Sequence, residues 1–342
     1  MVQLNNFNAN EKILRYPEKL DYFFNGHKTL IVTELDLTNK CNHLCPGCCG
    51  VNENKEELSK EQIDQIIKNL SDVDNQGIIL SGGGEPLISP HFTYAVNLIR
   101  KQGMKIGLNS NGSIMNEEVG TVIAENFEYF RISLDAGSPE IFKLTHGMNE
   151  AAFHKTIENI KKFQKIRKSI GSKTSFGVGF LTSVDTACDM EKFVELMVEC
   201  KVDFAQFRPF TGEGFELYDA SEEIIRLQKK YNSPEFKVLA SMHKYSNVSE
   251  PRTYTKCRGM YFSTVVTADA MMFSCLHYRQ HPDYLLGEIT PDHTIEDILS
   301  SSQMRRVYEN IDCSTCPELC RNDVFNRTLE TLSLDVTNSE FL

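Results

Sequence analysis

From residue 30 to about residue 231 the chain alternates between two hydrophobic rhythms. Short runs rich in β-branched and aromatic residues recur at LIVTELDL (30–37), GIILS (77–81), MKIGLN (104–109), FEYFRISL (127–134), TSFGVGFLT (174–182) and VDFAQFRPF (202–210). Each ends on a polar or Gly-bearing stretch, which predicts strands. Between them the apolar positions repeat at helical spacing. Ser59 and Gln62 form a capping box ahead of Ile63, Ile66, Ile67 and Leu70. Ile157, Ile160 and Phe163 share one helical face, and Phe193, Met197 and Cys200 share another. That pattern makes Cys200 a small core hydrophobe rather than a ligand.

Six strand–helix units in series predict parallel strands with right-handed crossovers. The expected fold is α/β, a partial (β/α)6 TIM-like barrel with a small C-terminal cysteine-rich domain. Its expected divisions are an N-terminal extension (1–29), the barrel (30–231), a connector with a helical middle (232–256), and the cysteine-rich domain with its tail (257–342). In such sheets the chemistry gathers at the C-terminal strand ends. The unusual polar residues fall there: cysteines after strand 1, Ser81-Gly82-Gly83-Gly84-Glu85-Pro86 after strand 2, Asn109-Ser110-Asn111-Gly112 at strand 3, Asp135 after strand 4 and Arg208 at the end of strand 6.

The formal net charge is −11. No basic stripe runs along the chain, which argues against nucleic acid as a partner. No segment has the length and apolarity to cross a bilayer. The first twenty residues lack a signal-peptide core, so a cytoplasmic location is expected. Eleven cysteines then become informative, because clustered thiols in a reducing compartment are more often metal ligands than disulfides.

Cys41, Cys45 and Cys48 form C-x3-C-x2-C in a loop after a strand. Three thiolates can hold three irons of a [4Fe–4S] cube and leave the fourth open, as a catalytic site requires. Cys49 adjoins Cys48 and is expected to point away from the same cube. The motif, followed by SGGGEPL beyond the next strand, resembles the radical S-adenosylmethionine superfamily over roughly residues 30–215. The resemblance implies a [4Fe–4S] cluster on Cys41, Cys45 and Cys48, with S-adenosylmethionine on its open iron. Gly83, Gly84 and Glu85 would hold the methionyl amino group. Ser110 and Asn111 match the turn after strand 3, and Ser133 and Asp135 match a ribose contact. Arg208 would pair with the methionyl carboxylate or a substrate acid. Read without the resemblance, Gly82–Gly84 is a tight turn, Asp135 a helix cap and Arg208 a surface charge. One departure stands out: the superfamily usually has an aromatic residue before its third cysteine, and this chain has Gly47.

A second group comprises Cys257, Cys275, Cys313, Cys316 and Cys320, with a strand–turn–strand pattern around Asp269 between the first two. Zinc is the generic reading. The order resembles the SPASM and Twitch auxiliary-cluster modules of the same superfamily, over about residues 257–321. Five cysteines rather than the seven of a full SPASM pattern imply one auxiliary [4Fe–4S] cluster, on Cys257, Cys275, Cys313 and either Cys316 or Cys320. The remaining cysteine would be spare, structural or a hydrogen-atom donor, Cys320 being the candidate donor. His43, His277 and His281 are expected to be solvated or capping. The C-terminal tail is expected to form a short helix and then an extended end.

The resemblance implies reductive cleavage of S-adenosylmethionine to a 5′-deoxyadenosyl radical, fed by a flavodoxin- or ferredoxin-type donor, and hydrogen abstraction from a substrate. Compactness favours a small polar substrate such as a sugar, aminocyclitol or nucleoside, undergoing oxidation, epimerisation or decarboxylation. The alternative is modification of a ribosomally made peptide by epimerisation, thioether formation or carbon–carbon crosslinking. A non-catalytic electron-transfer or zinc-binding protein would explain the cysteines but not the Gly-rich run.

Overall fold

The computed structural model describes residues 12–48, 50, 55–210, 214–246, 252–317 and 320–334. All six expected strands form: β1 (Val32–Asp36), β2 (Gly77–Ser81), β3 (Lys105–Ser110), β4 (Tyr129–Ser133), β5 (Ser175–Thr182) and β6 (Phe204–Pro209). The barrel helices are α2 (Lys60–Asp72), α3 (Phe92–Lys101), α4 (Glu117–Asn126), α5 (Pro139–His146), α6 (Glu150–Ser169), α7 (Met190–Glu199) and α8 (Ser221–Tyr231), preceded by α1 (Pro17–Phe24). The Ser59–Gln62 capping box is present in both directions, satisfying donors that would otherwise be orphaned at the start of α2.

Two expectations about organisation are corrected. The stretch expected as a connector supplies β7 (Lys237–Ala240), which pairs in parallel with β6, followed by the single-turn α9 (His243–Ser246). The C-terminal hairpin is continuous with the barrel sheet rather than set beside it. Its first strand, β8 (Ser263–Val266), runs parallel to β1, from Val32 opposite Ser263 to Leu35 opposite Val266. Then β9 (Met271–Phe273) and β10 (Leu285–Glu288) add antiparallel pairs. The resulting sheet has the order β10-β9-β8-β1-β2-β3-β4-β5-β6-β7. The N-terminal stretch packs here too, with the Phe23 ring 5.0 Å from Phe262. The chain then closes with α10 (Ile295–Ser300), α11 (Ser302–Asn310) and α12 (Asp323–Leu332).

Strand alternation sends one set of side chains outward to the helices and the other into the barrel. Outward, Phe130 of β4 meets Phe163 of α6 at 4.9 Å and Phe176 of β5 at 5.1 Å. Phe180 of β5 meets Phe193 of α7 at 5.0 Å, and Phe193 meets Phe207 of β6 at 5.7 Å. All six rings are fully buried, each stabilising the fold by roughly 1.5–3 kcal/mol. Cys200, at the end of α7, joins this core as expected. Inward therefore point Glu34 and Asp36 of β1, Arg131 and Ser133 of β4, and Gln206 and Arg208 of β6.

Candidate functional site: two thiol groups on one sheet

Cys41, Cys45 and Cys48 occupy the loop leaving β1; Cys41 and Cys45 are part-buried and Cys48 is exposed. Cys49 lies outside the described residues. Burial raises the Cys41 and Cys45 thiols, and Cys45 is raised further by Cys48, Asp135 and Cys41. Thiols that repel one another as thiolates are the donor set a cation would stabilise.

The loop is pinned from four sides. Asn111, at the turn after β3, donates to Asn42 Oδ1 at 2.8 Å and lies 4.0 Å from Cys41 Sγ. His146, at the end of α5, has Nδ1 3.4 Å from Cys45 Sγ and 3.2 Å from His43 Nδ1. The Gly147 carbonyl side of that corner is close-packed: a Cβ there would stand 2.6 Å from the Leu44 carbonyl oxygen. The glycine run is equally tight, since a Cβ on Gly83 would collide with Asn39 Oδ1 and one on Gly84 with the Lys40 carbonyl oxygen, at 1.9 and 2.0 Å. Only glycine permits that approach.

Glu85 is tied into the turn after β3. Its buried carboxylate accepts from the Ser110 hydroxyl at 2.8 Å, the Asn111 amide at 2.7 Å and the Leu87 amide at 3.1 Å. It therefore braces the glycine run against the β3 turn, and burial raises its pKa despite those bonds. Asp135 sits at φ 52° and accepts from the Leu181 amide at 2.8 Å, with Oδ2 3.5 Å from His146 Nε2. It does not cap α5; that position belongs to Ser138. His43 is buried rather than solvated, edge-on to Phe142, and burial lowers its pKa to about 4. His277 is likewise part-buried and lowered to about 4 by burial. His281 is a cap as expected, accepting from the Asp283 amide at 3.3 Å. Gly47 has φ 68°, a conformation an aromatic residue rarely adopts, which accounts for the missing aromatic.

The second thiol group is more enclosed. Cys257 and Cys313 are buried, and Cys275, Cys316 and Cys320 are part-buried. The structure brings all five together: Cys313 adjoins Cys257 and Cys316, and Cys320 lies within electrostatic reach of Cys275, Cys257 and Cys316. Asn326 and Asn322 of the α12 region donate toward Cys257 Sγ at 3.5 and 4.0 Å. The Cys257 thiol is lowered to about 6, first by its bond with Cys313 and against the cost of burial. Burial pushes Cys275 up to about 11 and Cys320 to about 12. Arg252 ties the segment down by donating to the carbonyls of Cys313, Cys316 and Pro317.

One arginine joins the two regions. Arg279, four residues after Cys275, enters the barrel wall, donating from Nε to Asp36 Oδ2 at 3.0 Å and pairing with Glu34. Arg321, next to Cys320, meets the other Glu34 oxygen at 2.9 Å. Asp36 in turn accepts from the Gly83 amide. The two arginines hold Glu34 below the usual carboxylate range, whereas burial raises Asp36 to about 6. Sequence reading missed Asp36, Arg131, His146, Arg252, Arg279 and Asn326; the inward alternation of β1 and β4 was the available signal for Asp36 and Arg131.

The residues fit the group that such a site takes: three converging thiols, a glycine run closed against them, and buried polar atoms without partners at Asn109 Oδ1 and His43 Nε2. The arrangement defines a partial-barrel protein with a thiol-rich rim. Residues 35–203 match the Radical SAM superfamily, and the chain carries a domain of that superfamily, whose cofactors are a [4Fe–4S] cluster and S-adenosylmethionine.

Among curated proteins, the chain is 26% identical over 200 residues to a tungsten-containing aldehyde ferredoxin oxidoreductase cofactor-modifying protein of Pyrococcus furiosus, covering 55% of each chain. It is 27% identical over 148 residues to the mycofactocin maturase MftC of Mycobacterium ulcerans, covering 42% of this chain and 40% of that one. The matches thus span about half or less of these relatives. Among solved structures, Streptococcus suis SuiB bound to precursor peptide SuiA aligns at TM-score 0.65 and 13% identity, over 89% of this chain and 70% of that one. Native anSMEcpe with bound AdoMet aligns at TM-score 0.63 and 17% identity, over 85% and 88%. The likeness establishes the TIM-like barrel fold.

Proposed function

We propose that the chain is a radical S-adenosylmethionine enzyme that modifies a peptide, with Cys41, Cys45 and Cys48 holding the catalytic cluster. Gly83 and Gly84 bring backbone to the methionyl end, and Glu85, Ser110 and Asn111 keep that backbone in place. Ser133, Asp135 and Arg208 line the remaining rim. When bound, cluster and S-adenosylmethionine together supply a 5′-deoxyadenosyl radical that removes a hydrogen atom from the substrate. The five C-terminal thiols offer four ligands for one auxiliary cluster, which would take up the substrate electron. Cys320, beside the barrel interior, is the ligand or donor left over.

The observation that carries the peptide reading is the reach of the fold likeness. It extends well beyond residues 35–203, and the neighbours include SuiB with its precursor peptide and anSMEcpe with peptides. The maturase MftC among the relatives supports the same class. This favours the peptide alternative over the small polar substrate that compactness suggested. A nucleotide reading also has support: a nucleotide dehydratase of Selenomonas ruminantium is 31% identical over 108 residues, and the GTP 3′,8-cyclase of Synechocystis is 31% identical over 118.

The test is anaerobic reconstitution, then incubation with S-adenosylmethionine, dithionite and either a candidate precursor peptide from a short reading frame next to the gene or GTP. The proposal expects 5′-deoxyadenosine with a mass change in the peptide. Consumption of GTP with the peptide untouched would replace it by the nucleotide reading. Full iron loading without 5′-deoxyadenosine would refute both.

A further inference from the structure

Two part-buried cations in the barrel interior have no ion-pair partner among the described residues, although Asp135 and Glu34 lie within electrostatic reach of Arg131. Arg131 on β4 and Arg208 on β6 both point inward and converge over β5 at Gly179, which leaves room for them, whereas the Phe204 ring covers Gly177. A Cβ at Gly179 would lie 3.7 Å from Arg131 Cδ and 3.8 Å from Arg208 Nη2. The Nε atoms of both are buried without an acceptor. The one side-chain hydrogen bond of Arg131 goes to the neutral Gln206 Oε1, at 2.7 Å. Among the described residues neither arginine pairs with a carboxylate; the inward carboxylates Glu34 and Asp36 are engaged by Arg279 and Arg321. Lys244 lies within electrostatic reach of both arginines and of Cys320. Burial and then Arg208 lower Arg131 to about 9, and burial with the same neighbours lowers Lys244 to about 8.

A guanidinium keeps its proton at physiological pH, and a buried charge needs a partner. S-adenosylmethionine cannot be that partner for the whole set, because its ammonium and sulfonium outweigh its one carboxylate. We infer that Arg131 and Arg208 form a binding site for a carboxylate of the substrate. Resting on the peptide reading, that group is an Asp or Glu side chain close to the residue that reacts. Two planar forks suit a carboxylate held from both sides.

The test uses the anaerobically reconstituted holoenzyme, with binding measured by calorimetry and thermal shift. The probes are glutarate, inorganic phosphate, and the peptides acetyl-Gly-Glu-Gly-amide and acetyl-Gly-Gln-Gly-amide. Glutarate and the Glu peptide are expected to bind and raise Tm, the Gln peptide at least tenfold more weakly. Arg131→Met is expected to lose at least tenfold in glutarate affinity while keeping S-adenosylmethionine binding, and its Tm without ligand should equal or exceed the parent's, since an uncompensated charge has gone. Arg131→Lys should recover part of the glutarate affinity. Binding of glutarate but not of the Glu peptide would uphold the carboxylate site and refute the peptide reading. Equal affinity of Arg131→Met and parent for glutarate, loss of S-adenosylmethionine binding in its place, or tighter binding of phosphate than glutarate would each overturn the inference.

Discussion

The two thiol groups are built on opposite principles. The first lies in an open loop, with Cys48 exposed and the sulfurs contacted by side chains borrowed from β3 and α5. The second is more enclosed, its free thiols facing one another, with Asn326 and Asn322 donating toward Cys257. An open thiol set can leave a metal position for a small molecule; a more enclosed one lets burial and hydrogen bonds to sulfur tune whatever it holds. The same sheet thus carries an open thiol loop and an enclosed one, tied together by Arg279.

The contrast is broken most severely at Cys45. Cys45→Ala should remove about four irons per chain and all cleavage of S-adenosylmethionine, as read by iron analysis and 5′-deoxyadenosine assay; residual cleavage would mean that the open site lies elsewhere. Next, Cys275→Ala should also lose about four irons, from the enclosed group, yet retain cleavage while failing to modify substrate. An unchanged iron count would argue that the five thiols hold no cluster.

Arg279→Gln attacks the tie between the two regions. It strips the shared cation from Glu34 and Asp36 and should destabilise the fold by about 3–5 kcal/mol, visible as a lower Tm. Its pH dependence has a definite sign. Asp36 has a folded pKa of about 6, above its unfolded value, so its contribution is fully favourable below the unfolded pKa and is lost as pH rises through about 6. Without Arg279 the carboxyls rise further. The gap between variant and parent should therefore widen on going from acid to alkaline pH; a constant gap would show that Arg279 acts by packing alone.

The smallest effect is expected at Asn326. Asn326→Ala removes one donor to Cys257 and should cost about 1 kcal/mol. It should also shift the potential of the enclosed group downward in voltammetry, since fewer donors to sulfur favour the oxidised state. An equal shift at the open centre would contradict the separation of the two.

Strand positions and the order of the cysteines were legible because both are local. Period-two patterning and C-x3-C-x2-C need no knowledge of distant residues. What escaped depends on packing. Lys237–Ala240 is too short and too evenly apolar to declare itself as β7, and nothing in Ser263–Val266 announces β1 as its parallel neighbour. Glu85 stood out through the SGGGEPL motif, but the turn that its carboxylate braces, twenty-five residues away, did not. His146 and Arg279 look like ordinary polar residues until the fold sets them against Cys45 and β1.

The pairing of β8 with β1 has an evolutionary corollary. Cut away the hairpin, and β1 becomes a bare margin with a row of unmet amides and carbonyls, ready to recruit another chain. A descendant could therefore discard every thiol after residue 256 and still be obliged to keep the ribbon that carries them. Its metal can be lost by mutation one ligand at a time; its masonry cannot.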